Sequence, residues 1–341
     1  MRVTTTIAAA LVAALPGVAT AQEVNLSFAH WLPPTHPLHT TGFEPWVRSI
    51  EEASEGRITI DIFPARQLGA AADHYDMARD GIADIAWINP GYQPGRFPVI
   101  AAGELPLMVE NARGGSRALH EWYADFAAEE MADVFVCNVH MHDPGTFHSK
   151  VPVRVPSDIS GRNVRPAHAT MARFVSQLGG ASVQVSAPEA REAIARGAAD
   201  MITFPWESIY IFGIDREVSH HLDTKLYATT FAVVMNQAMV DGLPDDLRRI
   251  VDDHCTPQWA ERMASGWADV EADGRQKMAD DPNRTLYTPT PAELAEWKAA
   301  AEPLVAEWKA AVAERGHDAD AVHEAYVAKL KEHGAFLETG E

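Results

Sequence analysis

Between Val24 and Met201 the chain alternates short β-branched segments with stretches whose apolar residues recur every three or four positions, and this alternation most narrows its possible folds. Val24–Ala29, Ile58–Phe63, 82–88, 134–140 and Asn163–Arg165 read as strands. Residues 38–54, 71–80, 171–178 and 188–196 read as helices, with Gly56, Gly81, Gly179 and Gly197 placed to end them. Strand and helix in turn predict an α/β protein with a largely parallel sheet. After one more apolar strand at 231–235 the pattern turns almost wholly helical. One helix runs from Pro244 through about residue 272. Another opens at Thr290-Pro291-Ala292-Glu293, where Thr caps, Pro fits the first turn and Glu reaches back to the cap. Such an ending predicts a clasp laid across two α/β lobes.

Arg2 precedes an apolar, Ala-rich run over residues 7–18, and Ala19-Thr20-Ala21 supplies small residues where a signal peptidase reads. The run is shorter than the ~20 residues of a membrane span. The expectation is a signal peptide over residues 1–21, cut after Ala21, and a mature protein free in the periplasm. What remains suffices for two lobes: 22–144 with 232–276, and 145–231 with 277–341, the second carrying the C-terminal helices. The formal net charge of -20, with no Lys/Arg cluster, argues against nucleic acid and anionic membrane as partners. An anion can bind such a chain only where a placed cation makes a local positive potential. Cys137 and Cys255 are the only cysteines. An oxidising compartment allows them to pair, but isolated cysteines are more often buried, unpaired small hydrophobes, and that is the expectation.

Fifteen histidines invite a metal site. His140-Met141-His142 and His220-His221 are the densest spots, yet neither offers a helical i, i+4 pair, and HExxH is absent. His140 and His142 would share one face of a strand, which makes them the pair a secreted metal-dependent enzyme would use. There is no G-x-S-x-G elbow, and Gly179-Gly180 follow a helix rather than a strand, unlike a phosphate loop. Trp297 and Trp308, near helical spacing, read as core packing. No catalytic residue, cofactor or metal ligand is assigned, and the chain reads as a binding protein rather than an enzyme.

Several segments together resemble the DctP family, the solute receptors of tripartite ATP-independent periplasmic (TRAP) transporters. They are Ala29, His30, Pro34, His36 and Pro37 in the opening strand and turn, GRITIDIFPARQLG over 56–69, Gly81-Ile82-Ala83-Asp84-Ile85, and Glu104-Leu105-Pro106-Leu107-Met108. The longest block is SDISGRNVRPAHATMARFVSQLGGASVQVSAPEAREAIARGAADM over 157–201, followed by Asn236 and Leu243-Pro244-Asp245-Asp246-Leu247. The resemblance covers nearly the whole mature chain in order. It implies a two-lobed periplasmic binding protein fold (type II-like), with hinge strands and a long helix spanning both lobes. It also implies a monomer that closes on a small organic acid and delivers it to TRAP membrane subunits. A sensor module reporting the same capture to a membrane kinase would carry the same chemistry, so the sequence leaves that alternative open.

In that family an arginine ending the strand after a D-x-x-G turn pairs with the ligand carboxylate; the matching position is Arg165 in Gly161-Arg162-Asn163-Val164-Arg165-Pro166. A planar guanidinium meets a carboxylate with two parallel charge-assisted bonds, which a lysine does not. Elsewhere the pattern departs. Relatives of the sialate type carry a second Arg where Phe147 stands and an Asn where Phe204 stands, and Trp206, Glu207 and Tyr210 follow here. Rings in place of polar contacts imply an acid with an apolar or aromatic body, or a short hydroxy- or keto-acid, instead of sialic acid. The resemblance adds Asn89, with Trp31, His142, Tyr92, Phe231 and Asn236 as further contacts. It also marks Glu207 as the place where a metal bridging to the ligand would sit.

Overall fold

The structure is a computed structural model that describes residues 23–338; the expected signal peptide lies outside the described residues. In chain order the strands are β1 (Val24–Ala29), β2 (Ile58–Phe63), β3 (Ile85–Ile88), β4 (Val134–Met141), β5 (Thr146–Ser149), β6 (Asn163–Arg165), β7 (Ala181–Ser182), β8 (Met201–Phe204), β9 (His220–Leu222), β10 (Thr230–Asn236) and β11 (Thr285–Tyr287). They form two sheets, ordered β2-β1-β3-β10-β4 and β11-β9-β5-β8-β6-β7. Both sheets are mixed, where the alternation predicted a largely parallel one. β1 runs parallel to β2 and β3, but β10 is antiparallel to β3 and β4, and β5 is antiparallel to β8 and β9. The cause is the chain's route. It leaves the first sheet after β4, builds the second, and returns through β10, which then runs against its neighbours.

The two crossings meet at Gly145. Its N–H donates to Tyr227 O at 2.8 Å, and its carbonyl accepts from Leu226 N at 3.0 Å. A Cβ here would lie 2.7 Å from Phe204 O and 2.9 Å from the Tyr227 ring, so only glycine lets the crossings and the end of β8 come together. β10 (TFAVVMN) is buried at every position but its last, the pattern of a strand covered on both faces.

The expected first helix opens as a π-helical turn, Leu38–Phe43, and continues as the α-helix Glu44–Ala53, burying Phe43, Trp46, Val47 and Ile50. The helix expected from Pro244 is two helices, Asp245–Asp253 and Pro257–Asp280. Between them the His254 carbonyl accepts from Trp46 Nε1 at 2.9 Å and Asn138 Nδ2 at 3.0 Å, which takes it out of any helical ladder. Thr256 then caps the second helix, with Pro257 in its first turn. The expectation of unpaired cysteines is corrected here. Cys255, in that break, is bonded to Cys137 of β4, with Cα atoms 4.5 Å apart across 118 positions of sequence. Only the packing of the break onto β4 brings the two sulfurs together.

The long helix Pro257–Asp280 lies against the helix Ala112–Tyr123 and the Leu38–Phe43 turn, and its far end reaches the short helix Ser208–Ile211 after β8. The helix Pro291–Ala313 opens with the predicted capping box of Thr290 and Glu293. It touches both halves: Trp297 Nε1 donates to Arg154 O at 2.9 Å, and Trp308 Nε1 to Pro98 O at 2.8 Å. The last helix, Ala319–Glu332, returns to the Ala112–Tyr123 helix, with Tyr326 and Trp122 rings 4.7 Å apart.

Candidate functional site

Arg165 is the last residue of β6, and Pro166 after it turns the chain away while Ala167 N donates to Thr203 Oγ1 at 2.8 Å. The side chain is buried, at 1% exposure. Nε donates to Val185 O at 3.0 Å and Nη2 to Tyr92 Oη at 3.3 Å, and the guanidinium lies 5.5 Å from the centre of the Phe204 ring. Nη1 has no partner, and among the described residues no carboxylate is paired with this cation. Removing a guanidinium from water without a counter-ion costs several kcal/mol.

Arg165 faces a small cavity between the two sheets. The first sheet's side supplies Trp31, Asn89 and Tyr92; the second supplies Arg165, Ala167, Phe204 and Phe212; the crossing after β9 and strand β10 supply Tyr227, Thr229 and Phe231; the long helix supplies Trp267. Its walls are mostly rings. Trp31 packs on Trp87 at 4.5 Å, Trp87 stacks on Phe231 at 4.6 Å, and Phe231 meets Trp267 at 5.7 Å. Trp31 Nε1 is a second buried donor without a partner.

The polar residues around the rings are mostly committed to holding them. Asn89 Oδ1 accepts from Gly91 N at 2.9 Å and so caps the turn that carries Tyr92. Tyr92 Oη also accepts from Ala187 N at 2.9 Å. His142 Nδ1 donates to Asp143 O at 2.6 Å, which leaves Nε2 to accept from Thr229 Oγ1 at 2.8 Å. Burial pushes both His140 and His142 down to about 3, so both imidazoles are neutral. They do pack around one residue, Phe231, at 5.7 and 6.0 Å. His140 Nε2, however, accepts from Trp87 Nε1 at 2.9 Å, and both nitrogens of His142 are engaged, so only His140 Nδ1 is without a partner.

Behind Trp267 the long helix carries Glu271, 1% exposed. Its carboxyl accepts from Trp267 Nε1 at 2.6 Å, Glu207 N at 2.6 Å, Ser208 N at 3.3 Å and the Ser208 hydroxyl. Three residues on, a Cβ at Gly274 would collide with the backbone of Glu207. The long helix is thereby held against the segment that follows β8 and lines the cavity.

Of the residues singled out from sequence, the cavity brings together Arg165, Asn89, Phe204, Trp31, His142, Tyr92 and Phe231. It does not include Phe147, Trp206, Glu207, Tyr210 or Asn236, and for these the structure corrects the expectation. Phe147 is one step out of phase with Phe204 in the β5–β8 pairing and packs instead on Trp297, 5.7 Å away, in the other core. Trp206 turns its edge to His148 at 5.1 Å. Glu207 Oε1 pairs with Lys277 at 3.3 Å rather than facing a ligand or a metal, and Lys277 Nζ also sits 3.5 Å from the Tyr210 ring centre. Asn236 caps the helix Gln237–Asp241. Sequence reading missed His36, Phe212, Tyr227 and Trp267. Trp267 did carry a signal: four positions later the same helix places an acid, Glu271, on its buried stripe.

The comparisons with known proteins agree with this geometry. The family model for the bacterial extracellular solute-binding proteins, family 7 (DctP), matches residues 28–311. A TRAP solute-binding protein from Rhodoferax ferrireducens T118, in complex with copurified benzoate, is 30% identical and superposes with a TM-score of 0.85, covering 91% of this chain and 98% of that one. A marine metagenome TRAP solute-binding protein specific for aromatic acid ligands, in complex with 3-hydroxybenzoate, is 29% identical over 92% of this chain and 99% of its own, with a TM-score of 0.85. A third, from Bordetella bronchiseptica with bound (R)- and (S)-mandelate, is 26% identical over 90% and 99%, again at 0.85. Two lobes, a ring-lined cavity between them and a family match over most of the chain lead to one conclusion: the chain belongs to the DctP family of bacterial extracellular solute-binding proteins, the solute receptors of TRAP transporters.

Proposed function

We propose that this receptor captures a small aromatic monocarboxylate outside the cytoplasm, as a monomer, and hands it to TRAP membrane subunits without transforming it. The observation that carries the reading is Arg165: a buried guanidinium with an unpartnered Nη1, no carboxylate ion-paired with it among the described residues, and an aromatic floor. A ligand carboxylate would supply the missing negative charge, and the surrounding rings would take up a flat apolar body. One cation and small volume favour a single carboxylate over two. The ligands of the similar structures, benzoate, 3-hydroxybenzoate and mandelate, are of this chemical class and support the reading.

A thermal-shift screen of the purified protein tests it. Benzoate, phenylacetate and mandelate should raise the melting temperature in a concentration-dependent way, because each binds only the folded state. Succinate, glucuronate and free amines should give much smaller shifts. If only neutral sugars or amines register, the acid assignment is wrong.

A further inference from the structure

His36 has no role in gripping a carboxylate, yet it lines the same cavity and is fully buried. Its Nδ1 accepts the Leu38 N–H at 3.1 Å, and its Nε2 has no partner. Burial, with His39 nearby, pushes this imidazole down to about 3, so it is neutral and carries a single proton. With Nδ1 occupied as an acceptor, that proton is on Nε2. The residue is also held in place. Its backbone N–H donates to Pro33 O at 2.9 Å, its carbonyl accepts from His39 N at 2.9 Å, and the ring stands edge-on to Trp267 at 5.0 Å.

The position of this donor relative to Arg165 can be followed along the cavity wall. The Arg165 guanidinium lies 5.5 Å from the Phe204 ring centre, Phe204 is 5.3 Å from Phe212, and Phe212 is 6.2 Å from His36. Two rings therefore separate the cation from the neutral donor. A ligand whose carboxylate meets Arg165 would lay its own ring along this wall and turn its far side toward His36.

We infer that His36 Nε2–H is the specificity-determining donor for an oxygen substituent on the ligand ring, and that the preferred guests are hydroxy- or oxo-substituted aromatic acids. This rests on the aromatic-acid reading of the site above. A neutral donor suits a neutral oxygen: a second carboxylate would call for a second cation, and an unsubstituted ring would leave a buried N–H without an acceptor.

Calorimetric titration of the wild-type protein with benzoate, the three hydroxybenzoates and the matching toluates tests the inference. The toluates reproduce the shape of the hydroxyl but offer no acceptor. At least one hydroxybenzoate should bind about tenfold tighter than benzoate and than its own toluate. In His36→Phe that ratio should fall toward one, whatever the change in benzoate affinity itself, and His36→Gln, which keeps a donor, should restore part of it. If benzoate binds as tightly as every hydroxybenzoate, or if the preference survives in His36→Phe, the role of His36 is overturned while the receptor reading stands. If none of these acids binds, both are overturned. Should the variants fail to fold, the wild-type titrations still overturn the inference if no hydroxybenzoate is preferred over benzoate and its toluate.

Discussion

Tyr92 and Arg165 stand on opposite sides of the cleft and are joined by a hydrogen bond of 3.3 Å from Nη2 to the tyrosine hydroxyl. The same hydroxyl accepts from Ala187 N at 2.9 Å, so one oxygen ties the turn after β3 to two elements of the second lobe. Tyr92→Phe removes both bonds and keeps the ring. Ligand affinity is expected to fall by about 1–2 kcal/mol, the worth of one or two such bonds, with a smaller change in the melting temperature of the ligand-free protein. Unchanged affinity by calorimetry would show that the hydroxyl contributes nothing to closure.

Arg165→Met deletes the cation while keeping most of the side chain's length. Binding of a carboxylate ligand should weaken by about 3 kcal/mol or more. The free protein should be at least as stable as wild type, because a buried charge without an ionic partner is removed. Wild-type affinity in this variant would take Arg165 out of the site.

Which parts of this were legible in the sequence follows from the range over which each feature is set. β1, β2 and the Thr290 capping box are local patterns, and they fall where periodicity and caps place them. Arg165 was marked by the family resemblance of its contiguous setting, Gly161 to Pro166, and it lies in the cavity wall. Phe147 and Phe204 looked equivalent because a strand's inward face depends on pairing, and the β5–β8 register turns one into the other core. Tyr227 and Trp267 reach the cavity from a crossing and a distant helix; nothing beside Tyr227 announces it, and Trp267 is marked only by Glu271 four positions on. The Cys137–Cys255 bond was hidden for the same reason, since the partners meet only after β4 and the helix break have packed.

Gly274→Ala sets two effects against each other. Alanine in place of glycine ordinarily stabilises a helix by about 1 kcal/mol, but here the added carbon would collide with the backbone of Glu207. The expected outcome is a lower melting temperature and at least tenfold weaker ligand binding, since Glu207 sits in the segment that carries the cavity wall. A raised melting temperature with intact binding would show that the approach has slack.

Glu271 should leave a signature in pH. Burial pushes its carboxyl from 4.5 up to about 7, against the pull of the four donors that face it. A carboxyl raised in this way holds its proton more tightly in the folded chain. Its contribution to stability is therefore complete below 4.5 and is lost as pH rises toward 7. In Glu271→Gln this loss is absent. Relative to wild type, the variant should gain on the order of 3 kcal/mol of unfolding free energy between pH 4 and 8, read from urea titrations at each pH. A constant difference would mean that the hydrogen bonds cancel the effect of burial and the carboxyl titrates alike in the folded and unfolded chain.

Replacing Cys137 and Cys255 together by alanine opens a loop of 118 positions. Stability should drop by about 2–4 kcal/mol. Neither sulfur lines the cavity, so the affinity of the folded variant should stay within about twofold. A large loss of binding would reveal a coupling between the bridge and the cleft.

The guanidinium walled in by rings makes the shut molecule incomplete by one negative charge. Coming together around nothing strands that charge, whereas coming together around an anionic guest neutralises it. On the proposed function the lobes would convert occupancy into outline, and a membrane partner engaging only the shut outline would have no need to touch the cargo to know it is there.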